Sequence, residues 1–243
     1  MADGAVVFGV GAKAGLGGAL CRRFAREGLT VFAAGRTKAK LEPLADEIRA
    51  RGGRAHALIA DVTLAADMAR AFESVEKETG APPELVVYNA GNMAAGPLTD
   101  MTDEFFEAAW RVCAFGAFLC GREAARRMVP RGRGTLIFTG ATSSMRSRPP
   151  FVAFAAAKAA ERAVAHGLAR EFGPKGLHVA HVVVDGVIDG ELVNSRMPQI
   201  KQSLGADGML DIGALADTYW MLHKQARSAW TLELDLRPYK EQF

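Results

Sequence analysis

Tyrosine is scarce in this chain of 243 residues: Tyr88, Tyr219 and Tyr239 are all there are, so the middle of the sequence offers no phenolic proton donor. Cysteine is equally rare. Cys21, Cys113 and Cys120 lack paired metal-ligand spacing, which makes them buried free thiols rather than redox or metal groups. Free thiols suit a reducing compartment, so the cytoplasm is the expected location. The five histidines, His56, His166, His178, His181 and His223, show no ligand spacing either, and no metal is expected. An excess of one charge is also missing: 30 Lys and Arg face 27 Asp and Glu, a net +3 with the signs interspersed. That balance argues against a nucleic-acid partner. The longest uncharged apolar stretch near the middle, Val112 to Gly121, is too short for a bilayer. The N-terminus shows no charged-then-apolar leader. Without repeats, low-complexity tracts or linkers, residues 1–243 are expected to form one domain.

What is present is a glycine-rich turn, Gly9-Val10-Gly11-Ala12-Lys13-Ala14-Gly15-Leu16-Gly17, set between two contrasting segments. Before it, Ala5 to Phe8 is a short continuous apolar run, as expected of a strand buried on both faces. After it, Ala19 to Glu27 places apolar residues at helical spacing and stops at Gly28. Small residues let the backbone approach a pyrophosphate, and a helix N-terminus supplies free N–H groups and positive potential. The same alternation continues down the chain. Strands are predicted at Thr30 to Ala34, Ala55 to Ala60, Glu84 to Tyr88, Gly134 to Thr139 and around His181 to Val184. Helices fall between them at Lys38 to Ala50, Leu64 to Thr79 and Asp103 to Val129. This pattern predicts an α/β fold: a single Rossmann-type, doubly wound parallel sheet with helices on both faces. Ligands in such sheets lie beyond the carboxyl ends of the strands, which here carry Gly11 to Gly17, Gly35-Arg36, Asp61 and Asn89 to Gly91.

The glycine turn, the Asp61-Val62 pair and the Asn89-Ala90-Gly91 tripeptide, in this order over nearly the whole chain, resemble the short-chain dehydrogenase/reductase family. The resemblance implies a nicotinamide dinucleotide held by Gly11, Gly15, Leu16 and Gly17 at the pyrophosphate and by Asp61 and Val62 at the adenine. Asn89, Ala90, Gly91, Lys158, Gly186 and Ile188 are then expected at the nicotinamide end. The second strand ends in Gly35-Arg36 with no carboxylate, and Lys13 stands in the turn. An acidic residue there would accept from a ribose hydroxyl, whereas arginine can hold a 2′-phosphate bidentately. NADP(H) is therefore favoured over NAD(H), unless both cations are simply solvated surface groups.

The chemistry expected of the family is largely missing. Its Tyr-x-x-x-Lys pair aligns with Phe154 and Lys158, and a phenyl ring cannot act as acid or base. Its serine aligns with Ala141, followed by the hydroxyls of Thr142, Ser143 and Ser144, of which Thr142 and Ser143 are possible substitutes. Its asparagine aligns with Cys113. Of four catalytic positions only Lys158 survives. Asp185 replaces the usual proline after the sixth strand, and Asp185 and Asp189 either cap that loop or offer an acid near the nicotinamide. The segment from Asn194 to Gly208 occupies the place of a substrate lid. A helix is predicted at Asp211 to Ala226 and an edge strand at Trp230 to Leu236.

The middle helix is apolar nearly all round, with Phe105, Phe106, Trp110, Val112, Phe115, Phe118 and Leu119 on no single stripe. Its cover is either a second subunit, giving a homodimer or homotetramer through the central helices, or the chain's own loops. Two functional readings stand: an oxidoreductase of unknown substrate with an atypical proton donor, or an inactive NADP(H)-binding sensor or partner subunit.

Overall fold

The computed structural model describes residues 3–241. Its strands and helices run β1 (Gly4–Phe8), α1 (Leu16–Arg26), β2 (Thr30–Gly35), α2 (Lys38–Ala50), β3 (Arg54–Ile59), α3 (Ala65–Thr79) and β4 (Leu85–Tyr88). The central helix follows as α4 (Asp103–Trp110), a π turn (Arg111–Phe115) and α5 (Gly116–Met128). Then come β5 (Thr135–Thr139), α6 (Val152–Phe172), β6 (His178–Val184), β7 (Ile188–Asp189), α7 (Glu191–Arg196), α8 (Pro198–Leu204), β8 (Leu210–Asp211), α9 (Ile212–His223) and β9 (Glu233–Leu236).

Seven strands form one sheet in the order β3-β2-β1-β4-β5-β6-β9, every pair parallel. Strand order reverses beside β1, between β2 and β4, and opens a crevice above the glycine turn. Alternate side chains of β1 feed two cores, as the twofold period of a strand requires. Ala5 and Val7 join Leu20, Phe24, Leu44 and Tyr219 under α1, α2 and α9. Val6 and Phe8 join Met68, Phe72, Cys120 and Met128 under α3 and α5. Burial on both faces explains why these strands read as continuous apolar runs rather than alternations.

The sequence expectation departs from the structure in four places. The central helix is interrupted: the Tyr88 hydroxyl donates to the Val112 carbonyl inside the π turn. A Cβ on Gly116 would lie 2.1 Å from that hydroxyl, so glycine admits the ring. The helix is also covered on one side alone, with Cys113 and Leu119 buried and Phe105, Phe106, Trp110 and Phe118 about 40% exposed. The supposed lid holds two short helices, α7 and α8, too brief to print a period in the sequence. Finally, the last strand and helix are shorter than expected, starting at Glu233 and ending at His223. No described helix is long and apolar enough to cross a membrane.

Candidate functional site

The turn after β1 is shaped by Gly9 more than by Gly11. Gly9 has φ +81°, and a Cβ there would lie 2.4 Å from the Ala90 backbone. The Asn89 amide crosses back and donates to the Gly9 carbonyl at 3.3 Å. A Cβ on Gly11 would meet nothing within 4 Å, so the space above it is open. Behind the turn, α1 begins at Leu16 with no side-chain cap and no acid in its first turn. Its leading N–H groups are thus left for an anion.

A cleft of about 430 Å3 lies over this turn. Gly11, Arg36, Asp61, Val62, Asn89, Ala90 and Gly91, all expected from sequence, line it together. Gly9, Thr37 and Lys40 line it too and were not foreseen. One Asp61 oxygen accepts from the Thr63 backbone and hydroxyl at 2.9 and 2.8 Å, which fixes the carboxylate at the mouth. Gly15, Leu16 and Gly17 form the start of α1 behind the cleft wall rather than its lining.

The Lys13 ammonium pairs with Glu47 at 3.0 Å and lies outside the cleft lining, in an adjoining hollow that it shares with Lys40, whereas Lys40 also lines the cleft beside Arg36. Glu47 also receives Arg22 at 2.9 Å, and the Arg22 guanidinium, followed by Lys13, holds its carboxyl down at about 2. The signal for Lys40 was present: it sits four residues after Arg36, in the first turn of α2.

Gly186 and Ile188 approach from the other flank. Their loop docks on the glycine turn through Glu191, whose N–H donates to the Ala14 carbonyl at 2.9 Å. In return, the Glu191 carboxylate accepts from the Ala14 N–H at 3.1 Å. Lys158 borders the cleft at Gly91, its Nζ 3.8 Å from where a Cβ on that glycine would stand.

Of the positions aligned with catalytic groups, Cys113 and Lys158 are buried, whereas Phe154 and Ala141 are half-buried. Phe154 packs on a small buried cluster of Ala94, Ala109, Cys113, Ala153 and Ala157. Burial pushes the Cys113 thiol up. No tyrosine compensates: Tyr88 is spent on Val112, Tyr219 bonds the Thr139 hydroxyl at 2.9 Å, and Tyr239 is 77% exposed. The hydroxyls after β5 are also taken or turned away. Ser144 accepts from the Ala141 N–H at 3.0 Å, and Thr142 donates to Asp185. Ser143 lines a separate hollow with Met145 and Ala156.

Neither aspartate of the late loop stands ready as an acid. Asp185 is buried between Thr142, Arg146 at 3.6 Å and Arg237 at 3.8 Å. Asp189 binds Lys201 at 2.8 Å and Asn194 at 2.8 Å, and the Lys201 ammonium pulls its carboxyl down. Both serve as staples for their loops. His181 is fully buried with Nδ1 2.9 Å from Glu233, and burial lowers it to about 4, which keeps the imidazole neutral in a structural role.

One group escaped the sequence reading altogether. Glu161 is wholly buried, and its two oxygens lie 3.1 and 2.9 Å from the Lys158 Nζ. The Lys-x-x-Glu spacing, which puts both on one helix face, was the available signal.

A larger hollow, about 630 Å3, lies between α1, α2 and α9, lined by Arg22, Ile48, Arg51 and Ile212. It lies by the amino ends of β2 and β3, away from the carboxyl ends, and two of its arginines are spent on Glu47. The cleft at the switch point is the candidate site, because it gathers the residues at the carboxyl ends of the strands.

An open parallel sheet with a glycine turn and an uncapped helix at its switch point defines a Rossmann-type α/β protein. The family model described as short chain dehydrogenase matches residues 5–201. The chain belongs to that family. It is 34% identical over 186 residues to an uncharacterized oxidoreductase, YuxG, of Bacillus subtilis, covering 75% of this chain and 27% of the relative. A short-chain dehydrogenase from Rhodopseudomonas palustris of solved structure is 35% identical with a TM-score of 0.81, covering 98% of this chain and 99% of that one. A metagenomic short-chain oxidoreductase solved in complex with NADP shares the fold at 22% identity and a TM-score of 0.80, covering 98% and 97% of the two chains.

Proposed function

We propose that the chain is an NADP(H)-dependent oxidoreductase whose proton donor is not a tyrosine. The observation that carries the reading is the pair of cations, Arg36 and Lys40, on a cleft where no carboxylate follows β2. A 2′-phosphate needs such partners, and a carboxylate at that place would repel it. The open space over Gly11 and the free N–H groups of α1 suit a pyrophosphate. Asp61 and Val62 take the adenine end, and Asn89, Ala90, Gly91 and Lys158 the nicotinamide end.

A bound reduced nicotinamide supplies the hydride. The chain's own part is to orient the acceptor, exclude water and furnish any proton. Phe154 and Cys113 make the neighbourhood of Lys158 apolar. With Thr142, Asp185 and Asp189 engaged elsewhere, the buried Lys158–Glu161 pair is the titratable unit nearest Gly91. Removing a positioned general acid costs about 100- to 10,000-fold. Acceptors that need little acid help, imines and activated alkenes, are therefore favoured as substrates.

The second reading, an NADP(H)-binding sensor or partner subunit without turnover, is favoured by the apolar cluster at Phe154 and Cys113. Fluorescence titration with NADPH and NADH tests both. Tighter NADPH binding that Arg36→Ala abolishes supports the cofactor assignment. NADPH oxidation with an imine or enone panel then separates enzyme from sensor. Association through the central helices, one domain over 1–243 and a cytoplasmic location belong to the same proposal. The first rests on the exposed aromatic side of α4 and α5.

A further inference from the structure

Lys158 ends in an ammonium with three N–H groups, and the fold surrounds it with three acceptors. They are the Thr139 carbonyl at 2.7 Å and the two Glu161 oxygens at 3.1 and 2.9 Å. Yet the same ammonium lies beside Gly91, which lines the cleft. To hold anything placed there, it must surrender one of these three bonds, and the two to Glu161 are the ones a proton can release. A carboxylate in a dry interior does not release its one counter-ion without cost. A carboxylic acid does, because the proton satisfies one oxygen.

The surroundings single out Glu161 as the group that changes charge near neutrality. Burial pushes it up to about 7, against the pull of Lys158. From β4, the π turn, α5 and α9, Tyr88, Cys113, Cys120 and Tyr219 face this region, and burial pushes all four up, so they stay neutral. From β6, His181 is lowered by burial to about 4 and is neutral too. Glu233 on β9, held down at about 2 by Arg162, keeps its charge and pairs with Arg162, His166 and His181. Asp185, after β6, lies with Arg146 and Arg237. The acids of α4, Asp103, Glu104 and Glu107, are exposed.

We infer that Glu161 gates Lys158: the ammonium turns an N–H to the cleft when Glu161 takes up a proton, so occupation of the nicotinamide end draws a proton into the protein. The inference rests on the reading of the cleft as a dinucleotide site. It makes Glu161 a positioning residue that also stores a proton about one hydrogen bond from Lys158. In a reduction, the atom left with the electron pair after hydride arrival takes a proton from the Lys158 ammonium. The Glu161 proton replaces it on Nζ, and the resulting carboxylate is reprotonated from solvent.

The sign follows from linkage. Binding favours the protonated form, so affinity is highest below the titration of Glu161 and falls above it, by at most about tenfold per pH unit. Titration of the intact protein with NADPH should show affinity at least about fivefold weaker near about pH 8.5 than near about pH 6. Glu161→Gln imitates the protonated acid and should hold the low-pH affinity at both values. The ligand's own 2′-phosphate titration is common to both proteins and cancels in the comparison. Calorimetry of the unmodified protein in two buffers of different ionisation heat, at about pH 8 where the 2′-phosphate is already fully ionised, should detect proton uptake on binding.

Binding of NADPH with no proton uptake overturns the inference, as does a slope unchanged in Glu161→Gln. If that variant does not fold, the calorimetry decides. If NADPH does not bind at any pH, the cofactor reading fails, and carboxyl-labelled glutamate NMR of the free protein decides the gate separately. A glutamate titrating near neutrality keeps it, and none overturns it.

Discussion

At the scale of single residues, backbone shape and protonation state make separate predictions. Gly9 adopts a left-handed conformation with the Ala90 backbone 2.4 Å from any added Cβ, whereas Gly11 has open space. Gly9→Ala is expected to cost about 2 to 4 kcal/mol in urea unfolding, through strain and clash together. Gly11→Ala should leave the unfolding midpoint nearly unchanged and weaken NADPH, because the new methyl enters the cleft alone. Equal losses of stability in the two variants would reverse that division. Acid stability is the second case. Burial lowers His181 and His223 to about 4, below the ordinary 6.5. Between those values the unfolded chain binds more protons, so stability falls as pH drops. Glu161, raised to about 7, acts oppositely and favours the folded state as pH falls from 7 toward 4.5. Two histidines against one glutamate leave a net loss of at least about 2 kcal/mol between pH 6.5 and 4.5, with His178, Glu47 and Glu233 adding in the same direction, readable as a lower urea midpoint.

At the scale of elements, the decisive contact is the one between α7 and the glycine turn. The Glu191 carboxylate accepts the Ala14 N–H, two residues before the start of the α1 amides offered to a pyrophosphate. A negative charge so placed opposes phosphate binding. Glu191→Gln keeps an acceptor for Ala14 and removes the charge, so NADPH should bind about three- to tenfold tighter, with the gain shrinking in high salt. Unchanged affinity would mean that the phosphates pass Glu191 at a distance. Elements also mark what the sequence could and could not say. Five of the first six strands of the large sheet were legible because burial on both faces leaves nearly uninterrupted apolar runs closed by glycine or polar residues, and the half-exposed edge strand β3 because a glycine pair and an aspartate bound it. The cleft was legible for the same reason, since its lining falls at the strand ends. The π turn was not, because it depends on Tyr88 meeting Val112 across 24 residues of sequence. Helices of six and seven residues, α7 and α8, leave no period to read. The Lys13 partner was not legible, because sequence proximity to the turn does not reveal the Glu47 carboxylate waiting on α2. Glu161 was readable as Lys-x-x-Glu, but its complete burial was not, and burial is what gives it significance.

At the scale of the whole molecule, the cleft and the aromatic side of the central helix are different surfaces. Phe105, Phe106, Trp110 and Phe118 are about 40% exposed. Trp110, Phe115 and Phe118 stack in sequence at 6.1 Å, with Arg111 and Arg122 over the rings. The ladder runs into a hollow of about 380 Å3 between α5 and α6, lined by Phe118, Val164, Leu168 and Phe172. Isolated apolar residues on a surface need no explanation, but a continuous aromatic row joined to an apolar groove does. A second copy meeting the same row by twofold symmetry would cover both at once. Sedimentation of the unmodified protein should then show a dimer or larger. Placing a charge in the middle of the row, as in Phe118→Glu, should yield a monomer, because an unpaired carboxylate buried at the interface centre costs several kcal/mol on each side of the axis, about enough to abolish a standard interface. The glycine turn, Arg36 and Lys40 lie on other elements, so the monomer should keep its NADPH affinity within about twofold if the two surfaces are independent, as distant sites generally are. Loss of NADPH binding together with the loss of assembly would instead tie the cleft to the partner copy through α4, whose Ala108 reaches the cleft wall.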